Sequence, residues 1–300
     1  MNKCIFSIDV EDWFHILDLP TTPPLSAWDG LPSRVEKNFL YLLDLFAQTD
    51  TKVTCFFLGW VAERFPHLVR EACQRGHEIA SHGYAHQLVY RTTRLEFSQD
   101  VTRSRKLLED LAGCAVVGYR SPGFSVVEDT PWFFDVLIEA GYAYDSSVFP
   151  APRGHGGMKA AHYAPYRIGD AERGLIEFPI TITKFLGKPF CCFGGGYLRI
   201  FPLLIIEKMT RKVLSEGRPV VFYIHPREID AQHPRLPMGL ARRFKSYVNL
   251  SSSEHKLRRL TSTFAGSTFR EYLAMMAESA GGGESDSVAT GSSMLLEESL

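Results

Sequence analysis

The sequence predicts an α/β fold: a distorted parallel (β/α) barrel with seven or so strands, plus a helical C-terminal extension. Short apolar, β-rich runs alternate with longer segments that are apolar at helical spacing, and this order generates a parallel sheet. The number of units favours a closed barrel over an open sheet. After residue 232 the alternation stops and helical patterns follow one another.

Taken in order, residues 4–8 read as the first strand. Residues 34–48 carry Val35, Phe39, Leu42, Leu43 and Phe46 at helical spacing. Residues 53–58 form the next strand, and 65–75 the next helix, stopped by Gly76. A short strand at 77–80 precedes a long amphipathic helix at 94–111. Residues 116–119 are a strand, and 130–140 a helix with Pro131 in its first turn. Residues 142–144, 176–178 and 219–224 are further strands, with a helix over 203–216 before the last. The expected organisation is a barrel over 1–232, a packed helical extension over 233–277, and a disordered tail over 278–300. Gly and Ser dominate that tail.

Bulk properties narrow the function classes. The 300 residues carry a formal net charge of −1, so no basic excess grips a nucleic-acid backbone. No apolar window is long enough to span a bilayer. The N-terminal run reads as a strand rather than a signal peptide, which leads to the expectation of a cytoplasmic protein. The six cysteines form no Cys-x-x-Cys pair, and most read as small core residues, the adjacent Cys191 and Cys192 included.

Five segments carry candidate chemistry. In Ser81-His82-Gly83-Tyr84-Ala85-His86, two histidines four apart would meet on one face of a helical turn, a spacing suited to one metal ion. Gly83 follows His82, so the segment is not a zinc-protease His-Glu-x-x-His. An apolar strand ends in three carboxylates, Asp9, Glu11 and Asp12, and such a cluster calls for a cation or a shared proton. Arg120 leaves a strand ahead of a Pro122-Gly123 bend; arginine suits bidentate holding of a carboxylate. Asp145 and His225 each follow a strand. Asp9, His82, Arg120, Asp145 and His225 therefore all sit at C-terminal strand ends, which converge on one mouth of a parallel barrel. Trp13, Phe14, Tyr84, Phe124 and the stretch from Phe193 to Tyr197 are candidate sugar-facing walls, or equally core filling.

This set resembles the polysaccharide deacetylases, the NodB-type family-four carbohydrate esterases, whose five motifs are recognisable in order over residues 4–226. It looks closest to a branch that opens on Asp-Val-Glu-Asp-Trp, carries an added C-terminal region and is associated with bacterial exopolysaccharide loci. The resemblance implies a metal-dependent hydrolase that removes N-acetyl groups from amino sugars of a bacterial polysaccharide or its precursor. It implies a divalent metal, Zn2+ first with Co2+ or Ni2+ as alternatives, and an N-acetylated saccharide as partner. Asp9 then matches the catalytic base, His82 and His86 the histidine ligands, and Arg120 the residue that orients the base. Gly123 matches the backbone donor to the oxyanion, His225 the general acid and Asp145 its tuning partner.

The family places two adjacent Asp residues where this sequence inserts Val10 and Glu11 between Asp9 and Asp12. Either Glu11 or Asp12 can complete the metal site. A persisting strand pleat would favour Glu11; with the pleat expected to end there, Asp12 is the expected ligand. The competing readings are an amidase or deformylase acting on a non-sugar amide, and a non-catalytic carbohydrate-binding barrel.

Overall fold

The computed structural model describes residues 3–152, 156–159, 161–170, 172–185 and 187–281. The strands are β1 (Cys4–Val10), β2 (Thr54–Phe57), β3 (Glu78–Ser81), β4 (Gly118–Tyr119), β5 (Tyr144–Asp145), β6 (Tyr166–Gly169), β7 (Gly174–Glu177), β8 (Thr183–Phe185), β9 (Lys188–Phe190), β10 (Val220–Ile224) and β11 (Gly266–Ser267). The helices are α1 (Val35–Ala47), α2 (Gly59–Arg64), α3 (Pro66–Gln74), α4 (Arg94–Ala112), α5 (Phe133–Glu139), α6 (Gly195–Ile200), α7 (Leu203–Ser215), α8 (Leu240–Tyr247), α9 (Ser253–Thr263) and α10 (Phe269–Gly281).

The predicted α/β class is what the chain adopts. The main sheet runs β10-β1-β2-β3-β4-β5-β7-β6, parallel except for the antiparallel β6–β7 pair. Every residue of β1 is buried, as expected of a strand covered on both faces. The helices follow local rules. In α1, Val35, Phe39, Leu42, Leu43 and Phe46 form the buried stripe. In α4, Thr93 and Glu96 make a reciprocal capping box, and Gly113 ends the helix in the left-handed region.

The expected closure is only partial. Among the described residues no strand pairing joins β10 to β7 or β6. The seam is spanned instead by the Val221 N–H donating to Thr181 Oγ1 at 2.8 Å and by a single bridge between Gly194 and Tyr223. Pro179, which has no N–H to give a ladder, follows β7 in this stretch.

Two apolar layers result. One lies between the sheet and the helices, with Phe6, Ile8, Val10, Phe39 and Leu108. The other fills the curl of the sheet, with Ile5, Phe56, Ala80, Tyr144, Phe178 and Val221. The extension seals the N-terminal strand ends. Phe269 of α10 packs its ring 5.2 Å from both Tyr144 and Phe178 and 5.6 Å from Phe56. Its N–H donates to Thr54 Oγ1, and the next N–H, of Arg270, to Glu78. With that end plugged, the C-terminal ends are left to form the site. The expected tail begins at residue 278, inside α10, and from residue 282 lies outside the described residues.

Candidate active site

The C-terminal ends of β10, β1, β3 and β4 converge on a cavity of about 470 Å³ lined by Asp9, Glu11, His15, His86, Gly123 and His225, among others. Asp9 is the last but one residue of β1. Glu11, two residues on, projects to the same side, as strand alternation dictates. His82 follows β3, Arg120 follows β4 and His225 follows β10.

Glu11, His82 and His86 bring one ligand atom each to within 4.8 Å of the others. His82 Nδ1 sits 2.9 Å from the Arg120 carbonyl oxygen, which can only accept, so Nδ1 carries the proton and Nε2 is left with a lone pair. The Nε2 atoms of His82 and His86 are both buried without a hydrogen-bond partner among the described residues. Burial lowers both imidazoles below their ordinary value, most strongly His86, so they are neutral. Two neutral imidazoles and a carboxylate suit a divalent ion of borderline softness.

The histidines do not meet on a helical turn, as their spacing led one to expect. The segment is a loop in which Gly83 and His86 both take left-handed φ values, 73° and 53°. Asp100 holds it: its carboxylate accepts from the N–H groups of Tyr84 and Ala85 at 2.8 and 3.1 Å. A Cβ at position 83 would come within 2.7 Å of that carboxylate, so glycine is required there.

The expectation that Asp12 is the ligand is corrected by the geometry. Its carboxylate turns away to accept from Ser33 Oγ, Trp13 N, Arg34 N and Val35 N at 2.5 to 3.2 Å, capping α1 and the turn that follows β1. The side-chain alternation persists two residues past Asp9, and this gives the site Glu11 instead.

Asp9 is almost wholly buried. Burial raises its carboxyl, but Arg120 and the nearby imidazoles more than offset this and hold it below its ordinary value. Arg120 Nη1 donates to Asp9 Oδ1 at 2.7 Å and to Ser7 Oγ at 2.8 Å. Its Nε and Nη2 are fixed by the Ser146 carbonyl and hydroxyl.

His225 Nε2 lies 3.0 Å from Glu11 Oε1 and 3.8 Å from Asp9 Oδ2. Its Nδ1 lies 3.1 Å from Glu228 Oε2. Burial opposes its charge, yet Glu11 and Glu228 raise it to about 10, so the ring is protonated at neutral pH.

Residues 26–144 match the family model described as polysaccharide deacetylase. The chain carries a polysaccharide deacetylase domain. A second model, described as a domain of unknown function (DUF3473), matches residues 146–274. The deacetylase match holds His82, His86, Arg120 and Gly123. Asp9 and Glu11 precede it, and His225 falls in the second match. The two do not separate bodies, because β5 and β7 pair across the boundary.

A peptidoglycan-N-acetylglucosamine deacetylase of Bacillus cereus is 32% identical over 88 residues, covering 29% of this chain and 32% of that protein. A peptidoglycan deacetylase of Helicobacter pylori is 30% identical over 107 residues, 36% of each. The matched stretch thus spans about a third of each relative. In fold, the chain is similar to a Mycobacterium smegmatis protein described as a polysaccharide deacetylase (TM-score 0.62, 19% identity, 100% of this chain and 96% of that one). A Pseudomonas aeruginosa PAO1 protein so described gives a TM-score of 0.61 at 16% identity over 91% of each chain. The Puue allantoinase gives 0.60 at 15% identity over 90% of each.

One further expectation is not met by the geometry. Asp145 does not pair with His225 among the described residues; it accepts from Ser147 Oγ and lies against Glu177, in the layer beneath Arg120. On its Nδ1 side His225 meets Glu228, a residue absent from the expected site. Its signal is nonetheless in the sequence: Pro226 at the first position of a turn and Glu228 three residues after His225 is a capping-box spacing. Of the aromatic segments read as walls or equally as core filling, Phe124 and the stretch from Gly195 to Tyr197 line the cavity. Trp13, Phe14 and Tyr84 are instead buried in the core, with the Trp13 indole N–H donating to the Pro32 carbonyl.

His15 is likewise absent from the expected site. Its Nδ1 accepts the Asp12 N–H at 2.9 Å, and burial keeps the ring neutral, so the proton sits on Nε2. That buried N–H has no partner among the described residues and belongs to a residue on the cavity wall, where a ligand oxygen can take it. No helix among the described residues is long and apolar enough to cross a membrane.

Proposed function

We propose that the chain is a metal-dependent carbohydrate N-deacetylase acting on amino sugars of a bacterial polysaccharide, an exopolysaccharide in the first place, or its precursor. The observation that carries this is the meeting of Glu11, His82 and His86 beside an ionised Asp9 and a protonated His225. Glu11, His82 and His86 would hold a divalent ion, Zn2+ before Co2+ or Ni2+, whose chemistry is to polarise the acetyl carbonyl and to acidify water.

The chain's own groups divide the remaining work. Asp9, kept ionised by Arg120, accepts a proton from the attacking water. His225, kept protonated by Glu11 and Glu228, gives a proton to the departing amine. Gly123 lies on the cavity wall, where its backbone N–H can meet charge developing on the acetyl oxygen. Arg120 acts through Asp9 as a positioning residue, and Asp145 supports the Ser146–Ser147 backbone that fixes Arg120. The presence of both a base and an acid supports an enzyme over a carbohydrate-binding barrel, since binding needs neither.

The test is acetate release from N-acetylglucosamine oligomers by zinc-loaded protein, with allantoin and formylated amines as the non-sugar amides. Turnover confined to the sugars, and lost on chelation, is expected. Turnover confined to the non-sugar amides would overturn the substrate class.

A further inference from the structure

The cavity carries more positive charge than deacetylation of a neutral sugar requires. Besides the catalytic cluster, Arg199, Arg227, Arg242 and Lys245 line it, and Asp9 and Glu11 are the only carboxylates on its wall among the described residues. Those two carboxylates are engaged, Asp9 by Arg120 and Glu11 by His225. Arg199 is neutralised by Glu228. Arg227, Arg242 and Lys245 make up the rest of the wall's positive charge, in a chain whose net charge is only −1.

Two observations make this wall a built feature rather than scattered surface charge. Arg227 has Nε and Nη1 buried with no hydrogen-bond partner among the described residues. Buried guanidinium atoms without acceptors are costly, and an incoming anion supplies what they lack. The second is how α8 is held. Arg199, on α6, donates to the carbonyls of Lys245, Ser246 and Val248 at 2.7 to 3.1 Å. Gly196 lets the helices approach so closely that a Cβ there would fall 2.9 Å from the Lys245 carbonyl oxygen. Arg242 Nη2 donates to the Leu17 carbonyl, tying α8 to the loop that follows the turn bearing His15. The C-terminal extension thereby supplies a fixed basic wall to the catalytic cavity.

We propose that this wall is an anion subsite, and that the N-acetylated saccharide taken by the cavity carries a phosphate or carboxylate group. The proposal rests on the deacetylase reading and narrows its substrate class. Both anions present oxygens in the geometry that arginine recognises. A sugar phosphate would mean a carrier-linked precursor, and a uronate would mean an acidic polymer.

Calorimetry on the zinc-loaded protein tests it without requiring turnover. The probes are N-acetylglucosamine, N-acetylglucosamine 1-phosphate and a disaccharide of N-acetylglucosamine with glucuronate. One anionic probe is expected to bind at least about tenfold more tightly than the neutral sugar, and to weaken as salt is raised. Which one it is identifies the source of the charge. Arg227→Gln and the exposed-site variant Lys245→Gln are each expected to cut that preference several-fold while zinc content stays at the wild-type level, which separates the wall from anion binding at the metal. Equal binding of neutral and anionic probes, or a preference intact in both variants, overturns the proposal. Acetate release without anion preference would leave the deacetylase reading standing and remove the subsite. Anion preference in a protein that releases no acetate would do the reverse.

Discussion

Glu11 and His225 are in direct contact, Oε1 to Nε2 at 3.0 Å, while the other oxygen of Glu11 lies 3.4 Å from His86 Nε2. One carboxylate thus faces both the histidine pair and the candidate acid. If His225 protonates the leaving amine, His225→Ala should lose about 10²- to 10⁴-fold on N-acetyl sugars. It should lose far less on an activated aryl acetate, whose leaving group needs no proton. Glu228→Gln should show the same pattern, more weakly. Steady-state kinetics on both substrate types check this, and equal loss on amide and ester would make the role of His225 positional.

Arg120 is fully buried, 4.1 Å over the Phe56 ring, and bonded to Asp9. Removing one member of a buried ion pair leaves an uncompensated charge, so Arg120→Met should cost about 3–5 kcal/mol of stability. Denaturant midpoints measure this. Asp9→Asn should keep the bound metal yet lose turnover, because an amide cannot take a proton from water, and by leaving Arg120 uncompensated it should lower the denaturant midpoint as well.

Strand ends are legible in the sequence because apolar runs stop abruptly, and this alone places Asp9, His82, Arg120 and His225 at one mouth. Side-chain direction is not legible in the same way. Choosing between Glu11 and Asp12 depends on whether strand alternation lasts two more residues, and on Asp12 finding Ser33 and the start of α1, some twenty residues away. The pairing of Asp145 with His225 rests on family resemblance alone, and no local pattern opposes it. The basic wall leaves no trace in the sequence because Arg199, Arg227, Arg242 and Lys245 are scattered along it and are gathered only where α8 packs on α6 beside the turn that follows β10.

Asp145 and Glu177 form a buried carboxyl pair. Asp145 Oδ2 and Glu177 Oε2 are both buried without a hydrogen-bond partner among the described residues, and two such carboxyls side by side call for a shared proton. Burial raises both carboxyls, Glu177 the further, and the Asp145 charge raises Glu177 again. A raised folded-state value contributes stability that is complete below the unfolded value and is lost as pH rises through the folded one. Glu177→Gln keeps a donor and removes that titration. Relative to the variant, the wild type should lose stability as pH rises above the ordinary carboxylate range, as read by urea unfolding. Parallel curves would show that the pair shares no proton.

Phe269 plugs the N-terminal end of the sheet against Phe56, Tyr144 and Phe178. Phe269→Ala should destabilise by about 3–5 kcal/mol through the cavity it leaves. The metal ligands stand at the opposite strand ends, so zinc affinity should change little. Thermal unfolding and zinc titration of the same variant check both parts. A loss below about 1 kcal/mol would mean that α10 docks without supporting the barrel.

Two carboxylates one residue apart in sequence take different tasks: Glu11, with His82 and His86, is the proposed metal ligand, while Asp12 caps α1. Zinc content after dialysis, measured by elemental analysis on wild type, Glu11→Gln and Asp12→Asn, tests this division directly. The expected result is about one zinc per chain in the wild type, retention in Asp12→Asn with a lowered thermal midpoint, and loss in Glu11→Gln. Zinc retained in Glu11→Gln and lost in Asp12→Asn would contradict it.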